Sequence, residues 1–401
     1  SHLFVDSRYH IQAEEECGSL FEVHKLGMEG VLDAHKWIGQ KNGKPLKIAV
    51  DPFTITPKQW NRYQESWNGS GHSWAVLEEN PVDLVWGNRP NAENQPAYLL
   101  GEELTGESTE SKIIKIRNEM NQTGADALVL SMLDEVAWVT NLRGSDVPHN
   151  PVFESYAIIL KDRALCFCHF QDSEFVEARP EWEFLPYKDY LGYLENLANQ
   201  SNFKVWLSPD ATTMGTRMVF DDSQVMESQN PVVMAKACKN KVEIACSENA
   251  HLHAASALVR TMAQLEQQMD QSAQVSEAWF AELLQKEYSI EKGYSELSFP
   301  TIAGAGSNGA IVHYRAKKES CRTIRKNDIF LCDSGGQYKY GTTDVTRTIC
   351  FTKPKQSIKN IYTKVLKGHI AVANTDLRLD NTGIKIDKRA RKYLNESKLD
   401  Y

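Results

Sequence analysis

The sequence predicts an α/β chain that becomes α+β in its last part, arranged in three blocks. Two observations carry this. Up to about residue 238, short apolar runs such as KIAVDP, DALVLS and VWLSPD, the length of buried strands, alternate with stretches of helical spacing. After Lys239 the order changes to two helical stretches, then glycine-rich, strand-like sequence through Thr352, then helix again. At 401 residues and 41% hydrophobic, the chain holds two or three domains of ordinary size.

The first block spans residues 1–102. KIAVDP reads as a strand, followed by a helix over PKQWNRYQESW with Pro57 in its first turn, where a missing N–H is harmless. DLVWGNRPNAENQP, rich in Pro and Asn, reads as a linker. The second block spans 103–238. Ile113, Ile116 and Met120 stand at helical spacing. DALVLS, VAWVTNL and VWLSPD read as strands, and SYAIILKDRALCFCHF as two strands around a tight turn at Lys161-Asp162-Arg163. The third block spans 239–401. It opens with a long amphipathic helix carrying Val242, Ala245, Leu252, Ala255, Val259 and Met262 on one face. Ser276 is placed to cap a second helix over SEAWFAELLQKEY. A third helix starts at Ser357, with Ile358, Ile361, Tyr362 and Val365 in step, and DKRARKYLNE forms the last.

A net charge of −8 argues against nucleic-acid binding, which needs a basic face. No apolar run reaches the roughly 18 residues of a membrane span. The eight cysteines form no CxxC pair, and several sit in apolar strand-like runs, so they read as free thiols of a cytoplasmic protein. No signal-peptide pattern precedes SHLFVDSRYH, which also lacks an initiator Met, so the natural N-terminus is expected upstream.

The stretch DSGGQYKYGTTDVTRT carries the chemistry. Asp333 and Asp344 flank a glycine-rich turn, each expected just inside a β-prone run, Ile329–Cys332 or Val345–Ile349. An antiparallel ribbon would bring the two carboxylates together. Such a pair repels unless one holds a proton or a cation sits between them. Oxygen ligands of this kind suit Mn, Mg or Ca. Service in turns is the competing role for both. His313, in NGAIVHYRAK, lies on another strand-like segment upstream.

These residues stand in a wider pattern. LDEVAWVTNLRGSDVPHNPVFESYAII, KNKVEI, LSFPTIAGAGSNGAIVHY, DSGGQYKYGTTDVTRT and VLKGHIAV follow one another in order, with VDSRYHIQAE and VDLVWGNRP ahead of them. The sequence resembles, along essentially all its length, the cytosolic aminopeptidase P group, the Xaa-Pro aminopeptidases of the pita-bread metallopeptidase class. The resemblance implies creatinase-like N-terminal α/β domains followed by the first part of a pita-bread catalytic domain. It implies hydrolysis of the N-terminal bond in peptides with proline second, by water activated between two metal ions, usually Mn²⁺. Asp333 and Asp344 match two metal ligands, His313 a substrate-contacting histidine that stabilises the tetrahedral intermediate, and Arg8 an arginine reaching the substrate pocket. A cytoplasmic homodimer is implied, with neither nucleic acid nor membrane as partner. Arg143 and Asp146 line the cleft, serve a subunit contact, or are structural.

Departures from the pattern accompany it. The family's ligand histidine and two glutamates follow a segment like SKLDY, and here no histidine lies beyond His369. Much of the first domain is likewise expected ahead of Ser1. The chain therefore reads as part of a longer protein, and by itself is expected to lack activity and to expose apolar surface after Lys239. Ser307 and Ser7 stand where the family often has proline and glycine. The alternative to an enzyme is a non-catalytic pita-bread module that binds peptides or proteins.

Overall fold

The computed structural model describes residues 1–41, 44–90, 95–170, 173–271, 273–380 and 382–400. The first block is built on two small parallel pairs, His2–Val5 with Glu22–Lys25 and Lys47–Val50 with Ser73–Val76. The Pro57–Ser66 helix follows as expected. Its capping box is closed by Thr56 and Gln59, each side chain accepting from the other's backbone N–H. Trp60, Trp67 and Trp74 pack together beneath it. Part of the expected linker is instead a short helix, Pro81–Val85, capped by Asn80. Residues 91–94 of that linker lie outside the described residues.

The second block holds a six-stranded mixed sheet. Its spatial order is Glu183–Pro186, Ala164–Cys168, Ser155–Leu160, Ala127–Leu130, Val205–Leu207 and Val225–Glu227. The central strand Ala127–Leu130 is buried at every position, because both faces of the sheet are covered. The Thr109–Thr123 helix packs Ile113, Ile116 and Met120 against Leu128 and Leu130 on one face. The Tyr190–Ala198 helix packs Leu194 and Leu197 against Val129 and Val205 on the other. The expected hairpin around Lys161-Asp162-Arg163 is present, with Leu160 N–H donating to Arg163 O at 2.8 Å.

VAWVTNL is not a strand. Residues Leu133–Thr140 form a helix that Asn141 closes in the left-handed region at φ 50°. Residues 135–140 are all buried, so its apolar run carries no amphipathic stripe to tell helix from strand. Asp134 and Glu135 in its first turn, favourable to the helix dipole, were the usable signal.

The third block opens with the long helix Lys241–Asp270, capped reciprocally by Asn240 and Glu243. Its buried face differs from the expected one. Ala250, Ala254, Ala257, Leu258, Leu265 and Met269 are inside, while Leu252 and Val259 are 68% and 67% exposed. Small residues select this face by letting a strand approach: a Cβ on Gly341 would stand 3.0 Å from the Ala250 Cβ. The Glu277–Ser289 helix, capped by Ser276, places Phe280 edge-on to Phe330 at 4.9 Å. The Gln356–Ala373 and Gly383–Asn395 helices pair through Gly368, where a Cβ would fall 2.2 Å from Ala390 O. Apolar side chains are exposed here as expected, among them Ile361, Tyr362, Val365 and Ile370. Among the described residues, no helix is long and apolar enough to cross a membrane.

One buried cation couples the second and third blocks. Lys112 is 2% exposed. Its ammonium donates to Trp138 O at 2.8 Å and Asn141 Oδ1 at 2.6 Å, and lies 4.0 Å from the Trp138 ring centre. Trp138 Nε1 donates in turn to Glu243 of the long helix. Burial, with the nearby Arg143 charge, pushes the Lys112 pKa down to about 7. The unfolded chain therefore binds more protons than the folded one between that pKa and the ordinary lysine value of about 10.4, and stability rises with pH across that window. Lys112→Met should remove this component, a slope of up to about 1.4 kcal/mol per pH unit, in urea unfolding between about pH 7 and 9. Identical slopes in the two proteins would refute it.

Candidate metal centre

Two antiparallel sheets build the site. Ile302–Ala305, Phe330–Ser334 and Val345–Ile349 form one, in that central-strand order. Tyr294–Leu297, Gly336–Tyr338 and Gly341–Thr342 form the other. The chain leaves the first sheet after Ser334, makes a hairpin in the second, and returns at Val345. Asp333 lies within its strand, opposite Thr346. Asp344 lies just before its strand, not inside it as expected, because Thr343 is committed to holding the return.

That return is fixed by close backbone contacts. Thr343 N–H donates to Gly336 O at 3.0 Å, and Gly336 N–H donates to the Thr343 hydroxyl at 3.0 Å. Ser298 Oγ donates to Thr343 O at 2.7 Å, and Ser298 N–H to Gly335 O at 3.0 Å. A Cβ on Gly335 would lie 1.8 Å from Thr343 O, so only glycine fits.

Both carboxylates line a cleft of about 860 Å³, together with Tyr9, Phe299, Ile302, Val312, His313 and Tyr314. Burial, followed by the neighbouring Asp344 carboxylate, raises the Asp333 pKa, while a Thr346 bond and His313 act in the opposite direction. Asp333 Oδ1 is buried without a hydrogen-bond partner. An orphaned carboxylate oxygen beside a second carboxylate is a donor set that fits hard divalent cations.

His313 reaches the cleft from a loop, not from a strand. A 3-10 turn at Gly306–Ala310 precedes it, and its own backbone is left-handed at φ 61°. The β-prone Ile311-Val312 pair is overridden by Glu277. That carboxylate is fully buried and accepts from Ala305 N, Asn308 Nδ2, the Tyr314 hydroxyl and Arg322 N. Four donor groups from both sides of His313 thus converge on one side chain, which holds the loop in place of sheet pairing. In sequence Glu277 looked like an ordinary acidic residue in the first turn of its helix. Only its distance from loop partners up to 45 residues away reveals the role.

Arg8 is carried near the cleft, but its guanidinium makes a two-point pair with Asp6, at 2.9 and 2.7 Å. Its neighbour Tyr9 lines the cleft, with its ring edge-on to His313 at 5.7 Å. Arg143 donates to Ala137 O and Leu142 O, and Asp146 accepts from Gln95 N and Glu154 N. Both side chains organise backbone. All eight cysteines are free thiols, as expected.

Comparison with known proteins agrees with this layout. Residues 88–243 match the Creatinase/Prolidase N-terminal domain, and residues 245–401 match Metallopeptidase family M24. A probable Xaa-Pro aminopeptidase P of Sordaria macrospora is 35% identical over the whole chain, which covers 67% of that relative. The chain belongs to the Xaa-Pro aminopeptidase P family of M24 metallopeptidases. The Xaa-Pro aminopeptidase ApepP of Drosophila melanogaster is 34% identical over the whole chain and 66% of its own length. The crystal structure of X-prolyl aminopeptidase from Caenorhabditis elegans, described as a cytosolic enzyme with a di-nuclear active site, superposes with a TM-score of 0.94. It is 28% identical, with 100% of this chain and 67% of that one covered. This member of the family thus spans about two thirds of the length of those relatives. A Bacillus anthracis Xaa-Pro dipeptidase, 22% identical over 73% of this chain and 78% of its own with a TM-score of 0.55, shares the fold.

Glu277→Gln keeps the shape of the side chain but replaces one of its two accepting oxygens with an NH2 donor, so the bonds accepted there are lost. The variant should lose about 2–3 kcal/mol and speed amide hydrogen exchange across residues 305–322 while leaving the six-stranded sheet protected. Unchanged exchange in that loop would show that Glu277 does not organise it.

Proposed function

We propose that the protein is a metal-dependent Xaa-Pro aminopeptidase, releasing the N-terminal residue from peptides with proline second. The observation that carries this is the adjoining Asp333 and Asp344 carboxylates, with the buried, orphaned Asp333 Oδ1, facing a cleft between the first block and the M24 part of the chain. Asp333 and Asp344 would hold divalent cations, and their hard oxygens favour manganese. When bound, such ions supply a water acidic enough to attack at neutral pH and polarise the scissile carbonyl.

The chain's own residues supply position and charge. The apolar walls Phe299, Ile302 and Val312 suit a pyrrolidine ring. Proline brings no N–H to the scissile amide, so recognition rests on ring shape and carbonyl orientation. His313, which lines the same cleft, would donate a hydrogen bond to the oxygen that gains charge during attack. Tyr9 sets the inner edge of its imidazole. Arg8 meets the peptide at the rim, oriented by Asp6.

The cytosolic description of the Caenorhabditis elegans relative and the free thiols support a cytoplasmic location. Exposed apolar side chains of the last two helices support self-association as a homodimer. A non-catalytic module is the weaker reading, because a binding surface has no use for two adjoining, mutually repelling carboxylates, one with a buried, unpartnered oxygen.

In a protein of its relatives' full length, Asp333→Asn should weaken Mn²⁺ binding in calorimetry and abolish hydrolysis of an Arg-Pro-Pro peptide together. His313→Ala should retain the metal and lower turnover about 10²–10³-fold. Equal metal loss in both variants would remove His313 from its assigned role. Equal cleavage of Arg-Pro and Arg-Ala peptides would remove the proline specificity.

A further inference from the structure

We propose a second cation site in the first block, formed by His2, Glu22 and His24 and suited to a zinc-class divalent ion. It lies outside the cleft that holds Asp333 and Asp344. The strands His2–Val5 and Glu22–Lys25 run parallel, with His2 opposite Glu22 and Phe4 opposite His24. Alternation along a strand puts residues two apart on the same face, so both histidines and the glutamate project together.

The donor atoms converge. His2 Nδ1 lies 3.0 Å from His24 Nε2 and 3.3 Å from Glu22 Oε2, and His24 Nε2 lies 3.7 Å from Glu22 Oε1. One ligand atom from each residue falls within 4.8 Å of the other two. A tetrahedral zinc ion with ligands at about 2.0–2.1 Å has ligand–ligand edges of roughly 3.3 Å. The observed separations bracket that edge. Two imidazoles and one carboxylate form a nitrogen-rich set, unlike the all-carboxylate pair in the cleft, and such a set selects zinc over manganese or calcium.

The ligands are held before an ion arrives. Phe4 stacks on the His24 ring at 4.3 Å and 9°, and Trp37 packs against both rings, at 4.3 Å from His2 and 5.6 Å from His24. The His24 side chain is only 13% exposed, whereas that of Glu22 is 67% exposed. The fourth position therefore faces solvent and takes a water. Ordinary surface hydrogen bonding would leave two imidazole nitrogens facing each other at 3.0 Å with one shared proton and no need for this packing.

The site has a mechanical consequence. The His2–Val5 strand runs directly into Asp6, Arg8 and Tyr9, the turn that reaches the cleft. Around it the first block buries little, and binding an ion to ligands twenty residues apart adds stability there.

The test uses the Asp333→Asn/Asp344→Asn protein, which silences the other site, titrated with Zn²⁺ alone. One equivalent should bind and raise the melting temperature. Both effects should disappear in Glu22→Gln, an exposed change that leaves the packing intact, and in His24→Ala. Co²⁺ in place of zinc should give the visible absorption of a tetrahedral nitrogen–oxygen site. The same comparison in the unaltered protein, with excess Mn²⁺ filling the cleft, should agree. No zinc uptake, or uptake unaffected by both Glu22→Gln and His24→Ala, would overturn the site.

Discussion

The contact between Gly335 and Thr343 governs the rest of the catalytic half. The two backbones approach so closely that no side chain fits at Gly335. Thr343 and Ser298 then lock the crossing with hydrogen bonds from both sides. As a result the chain returns to its first sheet with Asp344 beside Asp333, an arrangement that is electrostatically unfavourable on its own. A loose crossing would relax by parting the carboxylates. The rigid one cannot, so the repulsion and the orphaned Asp333 oxygen persist, ready to be relieved by cations. Structural stability here is set against binding energy.

The same logic holds one layer out, at His313. A left-handed backbone is uncommon at any residue but glycine, although histidine adopts it more readily than most. It survives because Glu277 fastens the loop before and after it. Burying a carboxylate is itself costly, but four donors converge on it, so removing any of them leaves charge under-satisfied. The loop is therefore organised by one side chain on a helix rather than by sheet pairing. Its position relative to Asp333 is inherited from the Phe280–Phe330 packing that joins that helix to the central strand.

What could be read from the sequence follows from these differences. Strands with apolar runs bounded by turns, such as Ala127–Leu130 and the Ser155–Cys168 hairpin, were legible because local pattern and burial agree. So were capped helices such as Pro57–Ser66 and Glu277–Ser289. The Asp333–Asp344 pairing was legible because an antiparallel return is a local event. The Leu133–Thr140 helix was missed because its all-round burial erased the period. The buried face of Lys241–Asp270 was missed because alanines, not large apolar residues, mark where a strand comes close. Glu277 and Tyr9 were illegible in principle: their partners lie far along the chain, and nothing local distinguishes them from an acidic first-turn residue and a surface tyrosine.

The substrate side of the cleft is a joint product of the first and last blocks. Tyr9 comes from the turn after the first strand, and His313 from a loop more than 300 residues later, yet their rings meet edge to face. Neither ring sits on a long regular element. Tyr9 is positioned by the Asp6 cap, which accepts from Arg8 N–H and the Arg8 guanidinium together. This pair holds the Asp6 carboxyl down at about 2. Because the guanidinium is already engaged by Asp6, a carboxylate or carbonyl of a peptide meets it as an added partner and not as a replacement. In the proposed reading Arg8 would set direction at the rim, leaving the chemistry to Asp333, Asp344 and His313.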